Sequence, residues 1–489
     1  MQPSHFHCVI IGTGFGGLCM AMQLSKAGIQ DFTLLEKANG VGGTWRDNTY
    51  PGAACDVQSH LSSYSFEPKH DWSRKFGRQK EIQQYMEDCV DKYQFRDHIQ
   101  FNKEVASARY DEQRAVWVIT TTDGNTITAN ILVSATGQLN QPAYPNIPGV
   151  EKFKGTAFHS ARWDHSANLT GKKVAVIGTG ASAIQFVPEI VSKVKQLKLF
   201  QRSAAWVISK PDRPFQQWEQ EIFKKAPIVD RIYRSFIYWK NESRAIAFTR
   251  FNKILDLFSL EAKALAKKHV KDPEKLAKVI PNYKIGCKRI LISNEWYQAM
   301  NQDHLDIIDN KIERIDETGV VTQDGTHHNV DAIIYGTGFK ATDFLTPMTI
   351  TGMGGINLNT AWKDGAQAYK GICVSGFPNL FILYGPNTNL AHNSIVFMLE
   401  SQVQFVMQCL GVLKSKKNTA MNVKAAVQQR YGNAIQERLK DGIWSSGCTS
   451  WYITDDGINT VNWPGFTFTY RASTKRPNLN DFEFVRASA

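Results

Sequence analysis

The sequence predicts an α/β fold of two doubly wound units with a helical insertion, and three observations predict it. Short β-branched runs recur, each closed by glycine-rich punctuation: FHCVII (6–11), FTLLE (32–36), VWVITT (116–121), ILVSATG (131–137), VAVIG (174–178), LKLFQ (197–201), AIIYGTG (332–338) and LFILYG (380–385). Runs that are apolar throughout are buried on both faces, as in parallel sheets. Two of them lead into the same glycine pattern, and between Pro211 and Pro281 the texture turns charged and helical.

A chain of 489 residues supports two to three domains, and 43% hydrophobic with 21% charged residues excludes disorder. The net charge of +12 suits an anionic partner, yet the basic residues are spread along the chain. A phosphorylated cofactor satisfies that as well as nucleic acid does. The eight cysteines include no paired redox or zinc spacing, so they are expected to be reduced thiols in a cytoplasmic protein without a metal site. Residues 8–24 are uncharged but lack a basic flank, and 371–391 carry Gly376, Pro378 and Pro386, so neither is expected to span a membrane.

The first strand runs into Gly12, Gly14 and Gly17 in GxGxxG spacing, followed by a helix-compatible segment to Ala27. This is the context in which a Gly-rich turn admits a pyrophosphate at a helix N-terminus, a Rossmann-like site. The next strand ends in Glu36, 24 residues after Gly12, where a carboxylate can accept from a ribose hydroxyl pair. The unit repeats at Gly178, Gly180 and Ser182, and there the residue 24 positions on is Arg202. A guanidinium accommodates a 2′-phosphate where a carboxylate would repel it. The chain is thus expected to hold FAD in the first site and NADPH in the second. Electrons would pass from nicotinamide to flavin, and without a redox cysteine pair O2 is the leading acceptor.

In the insertion, Phe248, Phe251, Leu255 and Phe258 follow a helical period, and Asp272-Pro273-Glu274 signals a helix start. The lysines at 263, 267, 268, 271, 275 and 278 fit a solvated helix face, with a membrane or nucleic-acid patch as the other reading.

The segment FKGTAFHSARWDH (153–165) contains Phe153, Gly155, His159, Trp163 and Asp164 in the pattern FxGxxxHxxxW(P/D). This resembles the fingerprint of type I Baeyer-Villiger monooxygenases. Further blocks are similar to that family in its order: VGGTWRDNTYPGAACD (41–56), SATGQ (134–138), FQRSAAW (200–206), GCKR (286–289), YGTGF (335–339), YGPNTNLAHNS (384–394) and CTSWYITDDGINTVNWPG (448–465). The last two resemble the short branch that includes 4-hydroxyacetophenone-type enzymes.

The resemblance implies a set of roles. Arg289 would be the reactive arginine, Asp56 its carboxylate partner, and Lys288 the lysine on the nicotinamide phosphate. Gly43, Thr44, Trp45, Tyr50, Gly137 and Asn387 would lie against the flavin cofactor. His159 and Trp163 have no chemistry of their own; their linker position fits either a coupling of domain movement to nicotinamide position or plain packing. The division would be 1–149 and 338–489 for FAD, the latter with a C-terminal substrate-side segment. Residues 150–211 and 281–337 would bind NADP, with 212–280 as the insertion.

The implied activity is NADPH- and O2-dependent conversion of ketones to esters or lactones through a flavin C4a-peroxide, with sulfide oxidation as a side activity. A flavin N- or S-oxygenase and an NADPH oxidase share the cofactors, but Trp163 with Asp164 argues against the first. Neither a nucleic acid nor a transmembrane segment is expected, and the assembly is expected to be a monomer or weak homo-oligomer. The sequence does not name the ketone.

Overall fold

The run SHFHCVII forms the strand Ser4–Ile11, whose last four residues are buried. It pairs in parallel with Phe32–Leu35 on one side and Thr126–Ser134 on the other. The computed structural model describes residues 4–487 except Arg250, Asn252, Lys417, Asn418, Thr449 and Asp455. An eight-stranded sheet is built around that pairing, in the order Thr349–Thr351, Val105–Asp111, Val116–Thr121, Thr126–Ser134, Ser4–Ile11, Phe32–Leu35 and Ile99–Gln100. Leu380–Ile382 adds in parallel to Thr126–Ser134.

A second, five-stranded sheet is parallel throughout, in the order Leu305–Ile308, Gln196–Phe200, Lys173–Ile177, Ala332–Tyr335 and Thr156–His159. Helix α1 (Phe15–Lys26) follows the first strand of the first sheet, and helix α2 (Ala183–Ile190) occupies the same place in the second.

One strand departs from the parallel expectation. Val116–Thr121 pairs antiparallel with both Val105–Asp111 and Thr126–Ser134. The connections on either side are four residues long, too short for the crossover that a parallel pairing needs.

Five helices make up the insertion: α3 (Gln217–Lys225), α4 (Pro227–Ser243), α5 (Ala245–Thr249), α6 (Ile254–His269) and α7 (Pro273–Val279). Asp272 caps α7, accepting from the backbone N–H groups of Glu274 and Lys275 at 2.8 and 3.1 Å. The single helix expected from Phe248 to Phe258 is two helices, with Phe251 exposed between them. Tertiary packing overrides the period, since Phe248 and Leu255 enter a cluster around Trp444 while Phe251 is left exposed.

Helix α8 (Ile395–Lys414) is long and apolar enough to cross a membrane by length and composition. Here it packs on α1, burying Val403, Phe405, Val406 and Cys409 in the largest apolar cluster.

The cysteine expectation needs a correction. Cys287 and Cys448 form a disulfide, while Cys8, Cys19, Cys55, Cys89, Cys373 and Cys409 are free. The bonded pair is 161 residues apart in sequence, so no local spacing reveals it; folding the C-terminal segment over the 281–290 loop brings the two together.

Candidate active site

The first glycine turn opens a cleft. Gly12 has φ near +98°, and a Cβ there would lie 2.9 Å from the Ala135 carbonyl oxygen, so only glycine lets the turn press on the strand end beside it. Gly17 is buried beneath the turn, where it closes α1 against the Gly12 carbonyl. No side chain caps α1, so its leading N–H groups are free for an anion. Gly12, Gly14, Glu36, Gly43, Thr44, Trp45, Asp56, Gly137 and Arg289 all line this one cavity.

Glu36 is almost wholly buried. Its Oε2 accepts from the Thr13 backbone N–H and hydroxyl at 3.0 and 2.7 Å, and its Oε1 from Ala38 N–H at 3.0 Å, with Arg46 Nη1 2.9 Å away. A carboxylate has about four acceptor positions, and these four donors fix the group in place at the cavity wall.

Arg289 lines the same cavity. Its Nη2 donates to Asp56 Oδ2 at 2.9 Å, across 233 residues of sequence. The surrounding protein partly desolvates the half-exposed guanidinium, but Asp56, helped by Tyr452 and Tyr384, drives its pKa upward. Gln185 of α2 holds the 54–56 segment: its Nε2 donates to Ala54 O at 3.0 Å and lies 3.5 Å from Asp56 Oδ1. Tyr384 and Asn389 also face the cavity, and the tyrosine hydroxyl donates to Asn389 Oδ1 at 2.6 Å.

The second turn repeats the first in backbone and differs in charge. Gly178 has φ near +108°, where a Cβ would collide with the Gly336 carbonyl. Gly180 lies beside that carbonyl, and Ser182 precedes α2. Lys288 Nζ donates to Ser203 Oγ at 2.8 Å, and Thr179 Oγ1 donates to Ser203 O at 3.1 Å. Burial lowers the Lys288 pKa and the neighbouring Arg202 charge lowers it further. Among the described residues neither cation has a carboxylate within ion-pair distance. Two cations without an anion fit a phosphate, which would relieve their repulsion.

The linker carrying the fingerprint touches both units. Arg162 Nη1 approaches Asp47 Oδ2 at 4.0 Å, and His165 Nε2 lies 2.8 Å from Thr49 Oγ1. The Trp163 ring meets Phe186 of α2 at 5.3 Å, and Tyr50 meets the same phenylalanine at 6.1 Å. His159 is fully buried and its Nδ1 accepts from Ala161 N–H at 3.0 Å. Burial pushes its pKa down to about 4, with the Gly338 backbone opposing and Arg162 assisting. Phe153 packs under the second sheet, Gly155 has no room for a side chain against Asp331 O, and Asp164 closes a turn on Ser166.

Two residues expected at the flavin are engaged by other parts of the chain and are not among those lining the cavity. Tyr50 donates from its hydroxyl to Gln185 Oε1 at 2.9 Å, and burial pushes its pKa up to about 12. Asn387 is buried, its amide donating to Asn459 O and Asn462 O at 2.7 and 3.2 Å, and Asn389, two positions on, is the asparagine that lines the cavity. Sequence reasoning missed Gln185 and Arg46 as well. Gln185 had one signal, a polar side chain in the otherwise apolar opening of α2.

The geometry has close counterparts. A profile described as pyridine nucleotide-disulphide oxidoreductase matches residues 9–236, which include both turns. A "Baeyer-Villiger monooxygenase" of Pseudomonas aeruginosa is 45% identical over 96% of this chain and 90% of its own length. The chain belongs to the Baeyer-Villiger monooxygenases. Another enzyme of that name, from Streptomyces coelicolor, is 41% identical over 99% of this chain and 93% of its own. Among solved structures, a steroid monooxygenase bound to NADP has a TM-score of 0.88 at 29% identity, covering 99% of this chain and 100% of that one. A closed cyclohexanone monooxygenase has 0.89 at 26%, with the same coverage. The expectations of this family, of the Rossmann-like fold and of an FAD-containing, NADPH-dependent oxygenating enzyme therefore stand.

Proposed function

We propose that this Baeyer-Villiger monooxygenase converts ketones to esters or lactones at the Arg289 end of the cleft, with Arg289 and Asp56 as its catalytic pair. The observation that carries the reading is that pair, joined at 2.9 Å and facing a cavity that begins at Gly12 and Glu36.

FAD would be held by the Gly12 turn, Glu36, the 43–45 segment and Gly137, and NADPH by the Gly178 turn, Arg202 and Lys288. When bound, NADPH supplies the hydride and FAD the activation of O2. Arg289 stabilises negative charge that develops on oxygen beside it, and as a guanidinium it does so without surrendering a proton. Asp56 orients that guanidinium and balances its charge, and Gln185 positions Asp56 from the other nucleotide unit. Pro347, Met348, Leu390 and Ile395 give the cavity apolar walls that restrict water near Arg289. The fingerprint residues act as positioning residues, Trp163 setting the two units against each other through Phe186 and His159 packing on Tyr144 and Phe339.

The test is product analysis with labelled dioxygen, NADPH and a panel of cyclic, aryl and linear ketones. The wild-type protein is expected to give labelled ester or lactone. Arg289→Ala is expected to lose product formation by about 10²–10³-fold, the scale of removing one oxyanion donor, while NADPH oxidation continues and hydrogen peroxide appears. Unchanged ester formation in the variant would remove Arg289 from this role.

A further inference from the structure

The insertion carries its polarity inside out. On α4 the residues facing inward include Asp230, Asn241 and Glu242, all buried. Asp230 is engaged by His60 and His70, and Glu242 accepts from the Thr467 hydroxyl at 2.8 Å and from the Asn393 amide. The face turned to solvent instead bears Ile228, Ile232, Phe236 and Trp239, at helical spacing, with Phe236 63% and Trp239 58% exposed. Helix α6 repeats this with Ile254, Leu257 and Leu260, and the Phe468 ring extends the surface at 6.0 Å from Trp239.

The placement is not scatter. Among the described residues, twelve of the seventeen exposed large apolar side chains fall between Trp218 and Leu260. Exposed apolar side chains concentrated in one insertion in this way mark an interaction surface. Charge then selects the partner. Residues 217–269 contain eleven Lys or Arg against six Asp or Glu, and two of the acids are the buried Asp230 and Glu242. Arg231 and Lys240 on α4, and Lys253, Lys263, Lys267 and Lys268 on or beside α6, are exposed around the apolar stripes. Exposed Trp, Phe, Ile and Leu ringed by Lys and Arg match the interface of an anionic bilayer, where apolar side chains enter the acyl boundary and cations meet headgroups.

We propose that the α4–α6 face is a peripheral docking surface for anionic lipid membranes, lying in the plane of the interface without spanning it. Its inner side reaches the catalytic cavity directly. Glu242 of α4 holds Asn393, which lines the cavity, and Leu255 of α6 packs with Ile285 and Trp444 beside the loop that bears Arg289. Resting on the ketone-oxidising reading above, this favours lipophilic ketones dissolved in the bilayer as the substrates presented to the enzyme.

The test is flotation of the full-length, FAD-loaded protein with vesicles of phosphatidylcholine alone or with about 30% phosphatidylglycerol, at low and high salt, with tryptophan emission followed in parallel. Binding to the anionic vesicles, weakened by salt and accompanied by a blue shift, is expected. The double variant Phe236→Ser, Leu257→Ser is expected to bind at least about tenfold more weakly while keeping its melting temperature and its turnover of a water-soluble ketone. Absence of binding to both vesicle types, or undiminished binding by the variant, would overturn the proposal. So would a wild-type dimer that the double variant turns into a monomer, since the face would then be covered by a second copy. Binding is read without turnover, so failure of the ketone reading leaves it measurable.

Discussion

The two glycine turns share a backbone and differ in what surrounds them. At the first, the ribose carboxylate Glu36 is buried, held by Thr13 and Ala38 and paired with Arg46. At the second, Arg202 is exposed and Lys288 meets the Ser203 hydroxyl and the Tyr283 ring, with no carboxylate in ion-pair distance among the described residues. A buried, pre-paired carboxylate suits a cofactor that stays, and a pair of like charges without an anion suits one that binds and leaves. Under the proposed assignment, one motif used twice would yield a resident and an exchanging nucleotide, because the charges around the two turns differ.

The sharpest way to break that contrast is Glu36→Ala. It takes the acceptor from the Thr13 and Ala38 N–H groups and leaves Arg46 with Asp47 as its remaining carboxylate partner, so a loss of about 3–5 kcal/mol in stability is expected, together with release of flavin. The flavin-to-protein absorbance ratio and the melting temperature check it; a variant that purifies fully flavinated would show the carboxylate to be dispensable.

The second largest effect lies between the sites, at His159. Its folded pKa of about 4 is below the ordinary value of 6.5, so over that interval the unfolded chain binds a proton that the folded chain refuses. Stability is therefore full above about pH 6.5 and declines as pH falls toward 4, by roughly 2–3 kcal/mol. Urea midpoints of wild type and His159→Gln between these pH values measure it, and parallel curves for the two would count against the assignment.

The smallest is Arg202→Ala, for which a KM for NADPH raised about 10–100-fold is expected, with NADH little affected, as for loss of one charge-assisted contact. Steady-state kinetics with both nucleotides decide it, since equal losses would deny the 2′-phosphate site.

What could be read from the sequence was local. Each turn declares itself because a glycine with positive φ presses on a neighbouring carbonyl, and the strands before them are apolar throughout. The contrast between Glu36 and Arg202 follows from a fixed 24-residue spacing. The Arg289–Asp56 pair spans 233 residues and came only through resemblance. Tertiary placement was out of reach. Nothing local distinguishes Asn387, spent on the C-terminal segment, from Asn389 in the cavity wall. Helical periodicity likewise gives no hint that the apolar side of α4 faces outward, because period reports which residues share a face and not which way the face is turned.

The disulfide has a consequence for how the chain can come apart. Residues 287–448 form a closed covalent ring, and Cys287 is the immediate neighbour of Lys288 and Arg289. In the chain-entropy description, closing a ring of this length removes on the order of 5 kcal/mol of freedom from the unfolded ensemble. A peptide bond cut anywhere inside the ring would leave both fragments attached, with the arginine still tethered to the segment that folds over it. Such a nicked molecule would keep its full mass until reduced, and only then separate into pieces.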